Sequence, residues 1–148
     1  MSALEASVEL ARPVSEVWDY IARPENLSAW VLGVDEATQV TDGPLAVGTR
    51  WRGTFAFLGL GFPLLVECTN CEVNKAVGFK SVEGKLAFSA ETTLEKLDDV
   101  TRFTYRVRSE TGFARVFGKL TGLITAKASS RVLRASLRNL ADVLATGG

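Results

Sequence analysis

The feature that most constrains the fold is the alternation of apolar and polar side chains across residues 48–107. Successive side chains of a strand point to opposite faces of a sheet, so this alternation predicts strands with one buried face. Residues 58–61, 83–84 and 98–99 contain glycine or aspartate and divide the region into three hairpins. The region therefore predicts an antiparallel sheet.

Each hairpin has a register in which apolar residues face apolar residues and acids face bases. A slip of one residue would destroy this match on both faces. The first register assumes a four-residue loop, and the other two assume two-residue turns. The expected pairs are Phe57–Phe62, Phe55–Leu64, Gly53–Val66, Trp51–Cys68 and Arg52–Glu67; Ser81–Leu86, Phe79–Phe88 and Val77–Ala90; and Leu94–Phe103, Thr92–Tyr105, Ala90–Val107, Glu95–Arg102 and Glu91–Arg106.

Shorter elements precede this region. Residues 4–10 alternate and predict a strand, Pro13 fits the first position of a helix, and Pro24 begins a second short helix that Gly33 ends. Residues 34–41 predict a further strand. The side chains expected to be buried by the two helices are Val14, Val17, Trp18, Ile21, Leu27 and Trp30.

A long helix is predicted from Gly112 to about Ala145. Residues 113–124 are apolar almost all round, whereas the second half is amphipathic, with an apolar stripe and a separate basic stripe. The apolar stripe is Leu133, Leu137, Leu140 and Leu144, and the basic stripe is Lys127, Arg131, Arg134 and Arg138. Because no linker or repeat interrupts the pattern, we expect one domain over residues 1–148.

Charge and composition exclude several function classes. The chain has 17 Lys and Arg against 17 Asp and Glu, so it has no net positive charge for nucleic acid. It has no histidine, which excludes Ser-His-Asp and Cys-His nucleophiles and histidine-ligated metals. The N-terminus lacks a signal-peptide pattern, and the longest charge-free run, residues 53–66, is too short for a membrane span. We expect a soluble cytoplasmic protein without a transmembrane segment.

Cys68 and Cys71 form a C-x-x-C pattern on a predicted strand. Positions i and i+3 of a regular strand lie about 10 Å apart and point to opposite faces, which is too far for a disulfide. Zinc would lack two further soft ligands. We therefore expect two unrelated thiols, Cys68 inward and Cys71 outward, and neither a metal nor a cofactor.

The inward faces carry an aromatic set with a few polar residues, which is typical of a small-molecule pocket. Tyr105, Thr92 and Ser81 are either core groups satisfied by their neighbours or polar anchors for a ligand. Tyr105 is the one candidate for a catalytic acid. The candidate ligand-binding residues are Trp51, Phe55, Phe57, Phe62, Phe79, Ser81, Phe88, Thr92, Phe103, Tyr105, Phe113, Phe117 and Leu120.

Residues 11–18 (ARPVSEVW), 24–30 (PENLSAW) and 47–51 (VGTRW) resemble, in content and spacing, motifs of the START-like helix-grip superfamily. That superfamily includes polyketide cyclases/dehydrases and lipid-transport domains. The resemblance covers essentially the whole chain and implies an α+β fold. Its curved antiparallel sheet of about seven strands wraps around a long C-terminal helix, and two short helices follow strand one. It also implies an apolar cavity between the sheet and the helix.

Three functions remain open on these residues. The first is an intracellular carrier or sensor of one small hydrophobic molecule of the lipid, sterol, quinone or aromatic polyketide class. The second is a polyketide cyclase-type enzyme that uses Tyr105 as acid, and the third is an interaction module that docks through the basic stripe. That stripe is otherwise a solvated helix face.

The loop around Leu58, Gly59, Leu60, Gly61 and Phe62 carries no polar side chain, although loop tips usually face water. Three interpretations are open: the loop packs over the first helices, it forms a dimer contact, or it closes the pocket mouth and touches a membrane or partner.

Overall fold

The computed structural model describes residues 2–57, 60–83, 87–109 and 126–145. These residues form a curled antiparallel sheet of seven strands in the order β1-β7-β6-β5-β4-β3-β2. The predicted helix-grip fold class is confirmed. The elements are β1 (Ser2–Leu10), α1 (Val14–Ile21), a 3-10 turn (Pro24–Asn26), α2 (Leu27–Trp30), β2 (Val34–Gln39), β3 (Arg50–Phe57), β4 (Leu60–Glu72), β5 (Ala76–Glu83), β6 (Phe88–Leu97), β7 (Val100–Ser109) and α3 (Ala126–Ala145).

The short helices form where the sequence places them. Pro13 has extended backbone and precedes α1, whose buried side chains are Val17, Trp18 and Ile21. Gly33 follows α2 with φ +97°, and a Cβ there would collide with the ring of Phe55. Glycine is therefore required at this turn for backbone freedom and for space.

The third hairpin has the predicted register. Leu97 pairs with Val100, so Asp98 and Asp99 form a two-residue turn, and Asp98 adopts φ 52°. Aspartate tolerates this left-handed conformation better than most residues. The remaining pairs, including Leu94–Phe103 and Thr92–Tyr105, agree with the prediction.

The charged pairs of this hairpin agree in part. Arg102 makes the predicted ion pair with Glu95 at 3.0 Å. Arg106 lies opposite Glu91 in the ladder, but its guanidinium contacts Glu5 of β1 at 3.2 Å. Strand β1 pairs with β7 on its other side, so Arg106 has two carboxylates within reach of its long side chain.

The registers predicted for the first two hairpins are wrong by two residues. Phe55 faces Phe62 and Arg50 faces Glu67, because β4 begins at Leu60 and the loop is two residues instead of four. Phe79 faces Ala90 and Val77 faces Thr92. There β5 continues to Glu83 and β6 begins at Phe88, so the connection is longer than two residues. A shift of two leaves each side chain on its predicted face.

Both cysteines face the concave side, so the outward orientation predicted for Cys71 is wrong. A β-bulge interrupts β4: Cys68 faces Phe79, whereas Asn70 faces Gly78 and Cys71 faces Val77. One extra residue in a strand reverses the alternation beyond it. The Cys68 thiol donates to the Asn70 carbonyl at 3.3 Å and the Cys71 thiol to the Leu45 carbonyl at 3.6 Å, and Cys71 packs against the same core cluster that contains Cys68.

Helix α3 covers the concave face at the β1 end of the sheet. Its leucines Leu133, Leu137, Leu140 and Leu144 are buried, as the apolar stripe predicts. A hydrogen bond also joins α3 to the residues after α2, because the Leu32 N–H donates to the buried Oγ of Ser136 at 2.9 Å. None of the helices in the described residues is long and apolar enough to cross a membrane. Residues 113–124 lie outside the described residues.

Candidate functional site

Two clusters of buried side chains occupy the concave face. The first cluster joins α1, α2 and α3 to β1 and to strands β4 to β7, and contains Trp30 and Phe103. The second lies on β2, β3 and β4 and contains Trp51 and Phe62. Phe79 of β5 packs against both clusters. It therefore marks the middle of the concave face.

The candidate ligand-binding residues separate into two groups by exposure. Trp51, Phe62, Thr92 and Phe103 are buried and belong to the core. The residues that remain half-buried on this face are Phe55, Phe79, Ser81, Phe88 and Tyr105. The half-buried group has surface left to offer a ligand, whereas the buried group supports it from behind.

Phe113, Phe117 and Leu120 lie outside the described residues, and of Phe57 the structure describes the backbone alone. Their contribution to the pocket stays a prediction. The expected cavity between Phe55, Phe79, Phe88, Phe103 and the first half of the long helix depends on two of them, so it stays a prediction as well.

Tyr105 faces inward, as its register predicts. Its ring meets Trp30 edge to face at a centroid distance of 5.5 Å, and Phe103 lies 6.4 Å away. Thr92 is its direct cross-strand partner. The hydrogen bonds of the described residues include none between the two hydroxyls, because the tyrosine side chain reaches well beyond the short threonine. Burial raises the pKa of Tyr105 to about 12, so the phenol keeps its proton at neutral pH.

The side chain of Ser81 makes two hydrogen bonds with the backbone of β6. Its Oγ accepts a hydrogen bond from the Phe88 N–H at 3.0 Å and donates to the Phe88 carbonyl at 3.4 Å. Of the two interpretations of Ser81, the satisfied core group describes it better, because both capacities of the hydroxyl are in use.

Trp30 is a buried aromatic residue of the concave face that the candidate set missed. Its ring lies 5.6 Å from Phe103 at a right angle, and its carbonyl accepts from the Asn139 side chain of α3. The helical pattern already predicted that Trp30 faces inward, and this prediction could have added it to the candidate set. The indole N–H groups of Trp30 and Trp51 are buried and have no hydrogen-bond partner within the described part of the chain. Leaving a buried donor unpaired costs about 1–3 kcal/mol.

The loop between β3 and β4 is described only from Leu60 onward. Leu60 is 55% exposed, whereas Phe62 is buried in the second cluster. The interpretation that this loop packs over the first helices therefore fails for Leu60. Its companions Leu58 and Gly59 lie outside the described residues.

The described residues contain no group of three or more His, Cys, Asp or Glu side chains that could hold a metal ion. The two thiols are poor ligands at neutral pH, because burial raises the pKa of Cys68 to about 11 and also raises that of Cys71.

Comparison with known proteins identifies relatives of the whole chain. The family model described as "Polyketide cyclase / dehydrase and lipid transport" matches residues 1–145. No curated protein matches the chain.

Among solved structures, the protein TTHA0849 from Thermus thermophilus superposes with a TM-score of 0.81 at 19% identity, over 99% of this chain and 100% of that one. A START superfamily protein from Mycobacterium smegmatis gives 0.80 at 11% identity, over 99% of both chains. The ginseng major latex-like protein 151 from Panax ginseng gives 0.70 at 12% identity, over 95% of both chains. At these identities the likeness shows the fold alone.

Proposed function

The chain belongs to the polyketide cyclase / dehydrase and lipid transport family, and from that premise we propose that it binds one small hydrophobic molecule on the concave face of its sheet. The proposed role is that of an intracellular carrier or sensor. The proposed ligand class is a lipid, sterol, quinone or aromatic polyketide.

The observation that carries this proposal is the half-buried aromatic group on the concave face. Phe55, Phe79 and Phe88 pack against core clusters and yet keep part of their surface accessible. A concave surface lined by accessible aromatic rings is typical of ligand sites, whereas contiguous apolar patches are uncommon on surfaces that bind nothing.

Apolar contact with these rings provides enough free energy for binding. A ligand that buries about 300 Å² of apolar surface gains about 7 kcal/mol at 25 cal/mol per Å². The loss of translational and rotational freedom takes several kcal/mol of that gain. The aromatic surface alone therefore supports weak binding, and polar contacts must add the specificity.

Tyr105 is the proposed source of that polar contact. With a pKa raised to about 12 by burial, its phenol donates a hydrogen bond at neutral pH but gives up its proton reluctantly. This favours an orienting role over that of a catalytic acid. A carbonyl or hydroxyl on the ligand is the matching acceptor.

The exposed Leu60 supports a proposed entrance at the β3–β4 loop. Leu60 stands two residues before Phe62 and across the hairpin from Phe57, close to the second cluster. An apolar side chain at this place can contact the ligand as it passes between water and the concave face.

Native mass spectrometry of the freshly purified protein tests the proposal, because a carrier retains its ligand and shows a defined mass adduct. The second test titrates the dye anilinonaphthalene sulfonate into the wild type, Phe79→Ala and Val77→Ala. Val77 is the matched control, since it lies two residues away on the same strand and face but is buried in the core. We expect Phe79→Ala to weaken dye binding at least fivefold and Val77→Ala to change it little. Equal affinities in all three proteins, with no adduct, would contradict the proposal.

A further inference from the structure

A groove of about 350 Å³ lies between β1 and α3, at the edge of the sheet. It is separate from the aromatic residues of the concave face, so it stands apart from the proposed function. The described residues that line it are Ser7, Val8, Arg131, Arg134, Leu137 and Arg138.

The three arginines of the groove have no carboxylate partner within the described residues. Arg131, Arg134 and Arg138 are exposed and occur at spacings of three and four residues, so they share one side of α3. The ion pairs of the described residues belong to other arginines, namely Arg12, Arg50, Arg102 and Arg106. Three unpaired guanidinium groups beside one concavity create a local excess of positive charge.

The side chains that line the groove beside the arginines are apolar. Leu137 is 2% exposed and forms the floor with the half-buried Val8. The Ser7 Oγ lies 2.9 Å from the Thr104 Oγ1, and either atom can donate. Because successive side chains of a strand alternate, the Ser7 hydroxyl lies on the outer face of the sheet with Glu5 and Glu9, opposite to Val8, and supplies no donor to the groove.

Acidic residues near Ser7 do not cancel this charge. Glu5 and Glu9 flank it on β1, but Glu5 pairs with Arg106 at 3.2 Å and Glu9 pairs with Arg102 at 3.6 Å. Both carboxylates are therefore directed toward β7. An anion in the groove meets the arginines of α3 before it meets either glutamate.

We propose that this groove binds a phosphate monoester, with Arg131, Arg134 and Arg138 around the phosphate and the ester's apolar group against Val8 and Leu137. A phosphate monoester carries about 1.5 to 2 negative charges at neutral pH and accepts bidentate hydrogen bonds from guanidinium groups. A carboxylate carries one charge and matches three arginines less well. The ester comes either from a soluble phosphorylated metabolite or from a lipid headgroup that ends in a phosphate monoester, as in phosphatidic acid.

The test uses phenyl phosphate as a soluble probe and benzoate as the carboxylate comparison, both followed by calorimetry at low salt. Vesicles of phosphatidylcholine with and without phosphatidic acid serve as the lipid probe. The variant is Arg134→Gln/Arg138→Gln, which keeps good helix formers on an exposed face. Arg52→Gln is the matched control, because Arg52 is an exposed arginine on β3, outside the groove.

We expect saturable binding of phenyl phosphate that is at least tenfold weaker in the double variant, unchanged in Arg52→Gln and weaker for benzoate. Raised salt should weaken it further. Binding to phosphatidic acid vesicles alone, lost in the double variant, supports the proposal with the lipid as source. No binding to either probe, or equal binding by the double variant, overturns it. Dye binding on the concave face should be the same in all variants, so failure here leaves the proposed function standing.

Discussion

Arg12 fastens the C-terminal end of α3 to the start of α1, and its removal should loosen that end selectively. The Arg12 Nε donates to the Leu144 carbonyl at 2.8 Å, and a terminal guanidinium nitrogen lies 3.6 Å from Glu16. The Arg12 carbonyl in turn accepts from the buried Thr101 hydroxyl at 2.8 Å. Three elements therefore meet at one residue.

The variant Arg12→Met keeps most of the apolar stem and removes the charge and the donor. A hydrogen bond from a charged group contributes about 1.5–3 kcal/mol, and a cation at a helix C-terminus adds about 0.3–1 kcal/mol. Because the Arg12 side chain is 30% exposed, we take the lower end and expect a loss of about 2 kcal/mol. For a domain of this size the melting temperature should fall by about 4–8 °C.

The matched control is Glu16→Gln, which removes only the exposed ion pair and should cost less than about 0.5 kcal/mol. Urea unfolding measures both values, and hydrogen exchange locates the effect: amides in the last two turns of α3 should exchange faster in Arg12→Met. Equal losses in the two variants, or unchanged exchange in α3, would refute the idea that Arg12 anchors the helix through Leu144.

Three further outcomes are expected. Tyr105→Phe should weaken the binding of naphthoquinone severalfold and leave the binding of naphthalene unchanged. The free energy of unfolding should change by less than about 1 kcal/mol. An equal loss of affinity for both probes would show that Tyr105 acts through packing and not through its hydroxyl. Leu60→Asp should slow exchange of anilinonaphthalene sulfonate in stopped-flow measurements and leave the melting temperature nearly unchanged, because Leu60 is exposed, and a large loss of stability would show that the loop is core. Burial raises the pKa of Cys68 from 9.0 to about 11, so the folded state holds the thiol proton more tightly than the unfolded state does. The free energy of unfolding should therefore be highest below pH 9 and decline as the pH rises toward 11. In urea unfolding at a series of pH values, Cys68→Ala should show a smaller decline than the wild type.

The faces of the strands outside the β4 bulge could be predicted from the sequence, but the loop lengths of the first two hairpins could not. A period-two pattern is unchanged by a shift of two residues, so it assigned Phe55 and Phe79 to the concave face while missing their partners Phe62 and Ala90. The register of the third hairpin was predicted correctly. Only a turn at Asp98 and Asp99 pairs apolar residues on one face and opposite charges on the other.

The bulge in β4 leaves only a short mark in the sequence. Thr69 and Asn70 are consecutive polar residues that interrupt the alternation, and the ladder shows that one residue is extra there. The aromatic character of the concave face was predictable from the sequence. The division of its members into core and half-buried residues depends on how far the sheet curls, and the contribution of Trp30 depends on how α2 docks against β7.

The pairing of the first strand with the last one sets the order in which the chain can fold. Ser2 lies opposite Ser109, and α3 packs against β1, so β1 has no strand partner before residue 109 has left the ribosome and no helix partner before α3 follows. Strands β3 to β7 pair with their neighbours in sequence and can form earlier. During synthesis, β1 therefore waits as an unpaired strand with an apolar side, the kind of segment to which chaperones bind. Truncation within α3 should therefore leave the apolar side of β1 exposed for longer.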